Sequence, residues 1–240
     1  MAYQNLSEFY DTLTEDQPYQ DWVNVLEQLT ASMQINNLLD IGCGTGTLTC
    51  LFSKIAKNVT GMDLSDEMIE KAKLKSDKIT WLKGDMSNFN LNQKFDVITI
   101  CCDSLNYLTT EDAVMNTFNH VYHHLNEHGL LMFDVHTAHK METQFNHQTY
   151  IDDRDDLTLL WQATPGDDPL SVWHDLTFFS LNEDGTYSRT DESQYQRTLE
   201  KLLYDEMLKI VGFKNIQSFY DFDITNQSSH SDRLFFVATK

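Results

Sequence analysis

The chain has 240 residues and carries 37 acidic against 17 basic side chains, a formal net charge of −20. A surface this acidic repels phosphate backbones and anionic lipid heads, which counts against nucleic acid or a membrane as partner. Apolar residues make up 41% of the chain, enough at this length to bury a sizeable core, and no apolar run is long enough to span a bilayer.

The first twenty residues hold no basic or apolar leader segment. Cys43, Cys50, Cys101 and Cys102 show no CxxC spacing and all fall in apolar segments. A cytoplasmic protein with reduced thiols packed as small apolar residues is expected. With three prolines and no linker-like tract, the chain reads as one domain with an insertion.

In chain order, "EFYDTLTEDQPYQDWVNVLEQLTASM" predicts two short helices, the second opening near Pro18. Trp22, Val25, Leu26 and Leu29 repeat at helical spacing. "NNLLDIG" predicts a buried strand and "TGTLTCLFSKIAK" a helix; "NVTGMDL" a strand; "SDEMIEKAKLK" a helix capped by Ser65. "KITWLKG" and "KFDVITICC" predict strands, "TEDAVMNTFNHVYHHLN" a helix and "GLLMFDVH" another strand. Strands alternating with helices predict an α/β fold, a parallel sheet covered on both faces. From about Thr149 to Thr198 the pattern alternates in twos ("LTLLWQA", "SVWHDLTFFSL", "TYSRTDESQYQRT"), with a tight turn at Asn182–Gly185. This predicts an antiparallel insertion within 138–198, flanked by core segments 1–137 and 199–240, with residues 1–34 as a helical cap. "TLEKLLYDEMLKIVGF" restores a helix closed by Gly212, and two final strands form a hairpin.

Gly42, Gly44 and Gly46 follow the first strand as G-x-G-x-G, with Thr47 where a dinucleotide fingerprint has its third glycine. Asp40 sits at the end of that strand. Asp63 ends the next strand, about 20 residues on, where a carboxylate can accept both ribose hydroxyls. "LLDIGCGTG", "VTGMDLS", "KGDM", "FDVITICCDSLNYL" and "GLLMFDV" in this order resemble the successive motifs of class I S-adenosylmethionine-dependent methyltransferases. The flanking segments are similar to a group of small bacterial members related to glycine and amino-sugar methyltransferases. The resemblance implies a Rossmann-like seven-stranded sheet, order 3-2-1-4-5-7-6 with strand 7 antiparallel, and an antiparallel lid. It implies that Gly42, Cys43, Gly44 and Gly46 pass under the cofactor's methionine and ribose, that Asp63 holds the ribose, and that Leu64 packs on the adenine. Asp85 and Met86 would meet the adenine edge, Cys101 or Cys102 the methionine end. Tyr10, Tyr19 and Trp22 would close over the cofactor.

The remaining candidates lie at the strand ends and in the insertion. His136 follows the fifth strand, where an imidazole can take a proton from a substrate or shape the loop. Asp103, Asn106 and Tyr107 follow the fourth strand and can orient a substrate. Trp173, His174, Tyr195 and Arg197 are candidates to touch an acceptor from the insertion, with Arg197 alternatively holding the lid through Glu192 or Asp175. His120, His123 and His124 are read as a solvated helix face rather than a zinc set, "DDRDD" (Asp152–Asp156) as a solvated turn, and no metal is expected. The expected activity is methyl transfer from S-adenosylmethionine to N or O of a small soluble acceptor, by a monomer or homodimer. The alternatives are an RNA methyltransferase, a non-catalytic cofactor-binding protein whose lid plugs the pocket with Trp161 or Trp173, and an NAD-dependent oxidoreductase.

Overall fold

The computed structural model describes residues 6–240, with side chains from residue 9 onward. Two helices, α1 (Leu6–Leu13) and α2 (Tyr19–Leu29), precede β1 (Asn37–Ile41), α3 (Thr47–Phe52), β2 (Asn58–Asp63), α4 (Asp66–Lys75), β3 (Thr80–Lys83) and β4 (Phe95–Ile100). A 3-10 turn (Ser104–Tyr107), α5 (Glu111–His124) and β5 (Leu125–His136) follow. Then come α6 (Ala138–Thr143) and the strands β6 (Gln148–Asp153), β7 (Leu157–Pro165), β8 (Ser171–Leu181) and β9 (Tyr187–Arg197). The chain ends with α7 (Lys201–Val211), β10 (Lys214–Tyr220) and β11 (Arg233–Thr239).

The main sheet runs β10-β11-β5-β4-β1-β2-β3, the expected order read from its other edge. β11 is antiparallel to both β5 and β10, while the β1, β2, β3, β4 and β5 pairs are parallel. β5 shows why the sheet needs two covered faces: Leu131, Phe133 and Val135 pack into one core, Leu130 and Met132 into the other. Local chemistry frames the helices. Ser65 caps α4 by accepting from the Met68 N–H, with Asp66 and Glu67 in the first turn. Gly212 ends α7 in the left-handed region at φ 112°.

Four features differ from expectation. α3 stops at Phe52, short of the predicted span, and the Ser53 hydroxyl donates back to the Cys50 carbonyl. β4 stops at Ile100, before the paired cysteines, because Cys102 and Asp103 are both left-handed, at φ 56° and 53°. The insertion strands form a four-stranded sheet, β6-β7-β8-β9, with one strand more than predicted. Almost all of β6 is exposed, so it has no apolar face to signal it. The short helix α6 also carries no clear period.

The second sheet lies over the carboxyl end of the main one. Its strand β9 meets the 3-10 turn, where the Tyr107 hydroxyl donates to Gln194 Oε1 at 2.8 Å. Arg154, between β6 and β7, donates to the Thr12 carbonyl and pairs with Glu15, which ties this sheet to the N-terminal helices. Asp152 turns inward to the same guanidinium at 2.9 Å, so the Asp152–Asp156 stretch is in part an ion-paired strand end and not only a solvated turn. No described helix is long and apolar enough to cross a membrane.

Candidate active site

The first turn of the site is built by backbone conformation. Gly42, Gly44 and Gly46 all have positive φ, at 70°, 55° and 80°. The N–H groups of Gly42 and Cys43 both donate to the Met62 carbonyl, which folds the loop back on β2. A Cβ at Gly42 would come within 2.6 Å of Ser104 Cβ, so its bareness admits the 3-10 turn as well as the open space beside it. Gly44 faces that space, with Tyr10 Cε1 the nearest atom a Cβ would meet, at 3.9 Å. Gly46 is different. A Cβ there would fall inside the Trp81 ring, and Gly46 does not line the cavity.

Asp63 closes this half. Its Oδ2 accepts from the Gly44 N–H at 2.8 Å and its Oδ1 from the Ser65 N–H at 2.9 Å. Burial raises its pKa, and bonds from the Ser65, Gly44 and Leu64 backbone only partly offset that. A carboxylate offers about four acceptor sites, so capacity remains for further donors. Leu64 beside it is 66% exposed. Asp85 uses its Oδ1 for the Ser87 N–H and hydroxyl, a turn-forming role, and still lines the cavity together with Met86.

The cavity has a volume of about 830 Å³. Gly42, Gly44, Asp63, Leu64, Asp85 and Met86 line one half. Tyr10 and Tyr19 reach it from the N-terminal helices, and burial pushes the Tyr19 phenol up to about 12. The other half is walled by Cys102, Asp103, Tyr107, Gln194, Tyr195 and Arg233.

Asp103 is the charged centre of that second half. Its Oδ2 lies 3.4 Å from His136 Nε2 and accepts from Gln196 Nε2 at 3.2 Å; its Oδ1 lies 3.3 Å from Arg233 Nη1. Burial alone would raise its pKa. His136, Arg233 and Lys140 together outweigh burial and hold the carboxyl well below the usual carboxylate range. Burial lowers the His136 pKa and the Asp103 carboxylate partly restores it, while the Arg233 guanidinium is the permanent cation beside Asp103. Behind it stands Asp134, fully buried. Its oxygens accept from Trp22 Nε1 (2.8 Å), Cys102 N (2.9 Å), Asp103 N (3.0 Å) and the Arg233 guanidinium. Two backbone bonds to one carboxylate brace the two consecutive left-handed residues.

Several predicted residues stand elsewhere. Trp22 does not cover the cavity: it is 1% exposed, packed edge-on to Phe222 and under the Arg233 guanidinium. It lies one helical turn beyond Tyr19, which does reach the cavity. Asp40 is a buried structural acid, bonded to Thr49 and Thr99 hydroxyls at 2.6 and 2.8 Å, and burial pushes it up to about 6. Asp40, Cys43 and Cys101 border a small pocket behind the glycine turn, of about 20 Å³, not the main cavity. His136 is 5% exposed, behind Asp103 and off the cavity wall; its Nδ1 has no hydrogen-bond partner among the described residues. Asn106 is fully buried, accepting from the His136 N–H and donating to the Arg197 carbonyl. Arg197 ties the insertion to the main domain through the Thr109 carbonyl and Glu111, with the Pro169 carbonyl also accepting from it, while the expected partner Asp175 accepts from the Ser193 hydroxyl. His174 is buried between Trp161 Nε1 and Gln196 Oε1, and Trp173 stacks outside on Tyr195. Neither Trp161 nor Trp173 plugs the cavity. His124 is not solvated: it is 6% exposed, stacks on Phe89 and accepts from the Leu91 N–H.

Asp134, Arg233, Gln194 and Gln196 were not anticipated. Arg233 opens a strand otherwise read as hairpin; the sheet pairs it with His136 and brings its guanidinium diagonally onto Asp134, two residues earlier on β5.

A bare glycine turn, an acid at the tip of β2 and a cavity at the carboxyl edge of a sheet with this order fit an adenosyl ligand. Fold and site together define a class I S-adenosylmethionine-dependent methyltransferase, an enzyme whose cofactor is S-adenosylmethionine. A family profile described as a methyltransferase domain matches residues 38–129. The chain is 40% identical to the Bacillus subtilis protein "Putative methyltransferase YqeM", over 100% of this chain and 98% of that one. It belongs to this methyltransferase family. A crystal structure of an S-adenosylmethionine-dependent methyltransferase from Clostridium acetobutylicum superposes with a TM-score of 0.88 at 27% identity, covering 100% of this chain and 99% of that one. A shorter match, 30% identical over 42% of this chain and 43% of the relative, is to a Streptomyces venezuelae dTDP-3-amino-3,4,6-trideoxy-alpha-D-glucopyranose N,N-dimethyltransferase.

Proposed function

We propose that this enzyme methylates the nitrogen of a small soluble amine. The observation that carries the reading is the ionised Asp103 carboxylate on the cavity wall. When bound, S-adenosylmethionine supplies a methyl on a cationic sulfur, and transfer to an amine forms the N–C bond from the nitrogen lone pair, leaves the C–S pair on sulfur and passes the positive charge to nitrogen. A carboxylate already fixed where that charge develops stabilises it without reorganising. An amine reacts from its neutral form, its ammonium proton passing to water before the transfer, whereas a hydroxyl must give up its proton to a base as it reacts. Asp103 is too weak a base for that, and the His136 imidazole lies off the wall. The names of the more distant relatives include both N- and O-methyltransferases, so they do not choose the atom.

In this reading Gly42 and Gly44 let the backbone approach the cofactor, Asp63 accepts from its ribose, and Leu64, Asp85 and Met86 flank its adenine. Tyr10 and Tyr19 cover its methionine end. Tyr107 and Tyr195 shape the acceptor space beneath the insertion, which acts as a lid and excludes water. Orientation in a closed site can supply about 7–11 kcal/mol of the barrier, so little covalent chemistry is asked of the protein. An RNA substrate is disfavoured by the acids around the cavity. The test is carbon-13 NMR of products made with methyl-labelled cofactor from a metabolite extract. An N-methyl signal is expected; an O-methyl signal alone rejects the reading.

A further inference from the structure

The charges on the cavity wall select among amines. Five carboxylates line it (Asp63, Asp66, Glu67, Asp85 and Asp103) against two cations, Lys83 and Arg233. Both cations are committed. The Lys83 ammonium pairs with Asp66, and the Arg233 guanidinium pairs with Asp134 and Asp103. Arg197 is held by carbonyls outside the wall, and Lys140 does not line the cavity. Residues 1–8 contain no Lys or Arg. Among the described residues, no cation on the wall lacks a carboxylate partner.

We propose that the acceptor is an amine carrying no phosphate or carboxylate group, neutral or cationic as a whole. The inference rests on the N-methylation reading and narrows it. An anionic group brought into this cavity would lose its water and meet acids with no free cation to offset them. The bound cofactor would cover Asp63 and Asp85, and the other half keeps Asp103, with Asp134 behind it, against the single Arg233 guanidinium that both share. A neutral or cationic amine meets the opposite situation. Asp103 supplies an acceptor whose own charge is fixed by Arg233, while Tyr107, Leu108 and Tyr195 give the apolar flank. This acceptor class differs from the nucleotide-linked sugar in the name of the Streptomyces relative, whose diphosphate needs cations that this wall does not spare.

The test divides a small-metabolite extract on ion exchangers at pH 7 into cationic, neutral and anionic pools. Each pool is offered to the wild-type protein with methyl-labelled S-adenosylmethionine, and separately to the S-adenosylhomocysteine-loaded protein in ligand-observed NMR. Label and binding are expected in the cationic or neutral pool. Label or binding confined to the anionic pool, or to a carboxylate- or phosphate-bearing zwitterion of the neutral pool, overturns the proposal, as does the absence of both from every pool when calorimetry shows S-adenosylhomocysteine bound. Label from the cationic pool residing on oxygen would remove the N-methylation reading and leave the charge selection standing. Asp103→Asn is expected to cut incorporation by about tenfold or more, as for loss of a charged hydrogen-bonding partner. Its affinity for S-adenosylhomocysteine should stay within about threefold of wild type.

Discussion

Asp63 and the glycines make separable demands that single substitutions can read. Asp63→Ala removes a charged acceptor from the cofactor half and is expected to weaken S-adenosylhomocysteine binding by about 1.5–3 kcal/mol, measured by calorimetry on folded protein. Unchanged affinity would remove Asp63 from the site. Gly44 and Gly46 share a motif and a positive φ but not a neighbourhood. Gly46→Ala adds left-handed strain of about 1–2 kcal/mol to a collision with the Trp81 ring that costs about 1–3 kcal/mol. Gly44→Ala carries the same strain without the collision, so Gly46→Ala should lower unfolding stability in urea by about twice as much. Gly44→Ala instead places a methyl in the cavity and should act mainly on cofactor affinity. The motif was readable from residue types alone. That one of its glycines serves a tryptophan and not the ligand was not, because Trp81 arrives from β3, two strands away.

At the level of elements, the decisive joint is where β4, β5, β11 and α2 meet at Asp134. Asp134 stands on β5, and its four donors come from α2, from β11 and, twice, from the turn after β4 that carries Asp103. Replacing one member of a buried ion pair costs about 3–5 kcal/mol, so Asp134→Asn should lower unfolding stability by that order. It should also loosen the Asp103 turn and weaken S-adenosylhomocysteine binding at temperatures well below the melting point. Trp22→Phe keeps an aromatic side chain but removes one hydrogen bond, worth about 1 kcal/mol, and leaves a gap where the indole was, which adds to the cost. The double variant should cost less than the sum of the two, since both act through one carboxylate. Additive effects would mean that Trp22 and Asp134 stabilise separate parts. The family resemblance places Trp22 over the cofactor together with Tyr10 and Tyr19, although its spacing with Val25, Leu26 and Leu29 is that of a core face. Helical spacing gives a face, but the depth of each residue on that face depends on how α2 meets the sheet.

For the whole molecule, buried titratable groups set how stability follows pH. His174 accepts from Trp161 Nε1 through Nδ1 and, by that assignment, donates from Nε2 to Gln196. Protonating Nδ1 would oppose the tryptophan donor. Burial, with the nearby His136 second, lowers the His174 pKa from 6.5 to about 4. The unfolded chain then binds the proton first as pH falls, so this residue alone removes about 2 kcal/mol of stability between pH 7 and pH 5. Asp40 acts in the opposite sense: raised to about 6, it binds its proton more tightly in the folded chain and adds stability as pH falls through that value. Chemical denaturation of wild type and His174→Gln at the two pH values should show a flatter or rising stability in the variant. An unchanged pH dependence would mean that His174 binds its proton equally well in the folded and unfolded chain. The sequence by itself determined the alternating elements, the sheet class, the glycine turn and Asp63, because each follows from local period, backbone freedom and spacing within a βαβ unit. Only the tertiary structure decided that His136 backs Asp103 and not the cavity, that Trp22 is core, and that Arg233 and Asp134 brace the Asp103 side of the cavity. Those roles are contacts between residues up to 130 positions apart, as for Arg233 and Asp103, and strand register and helix docking create them, with no trace in local pattern.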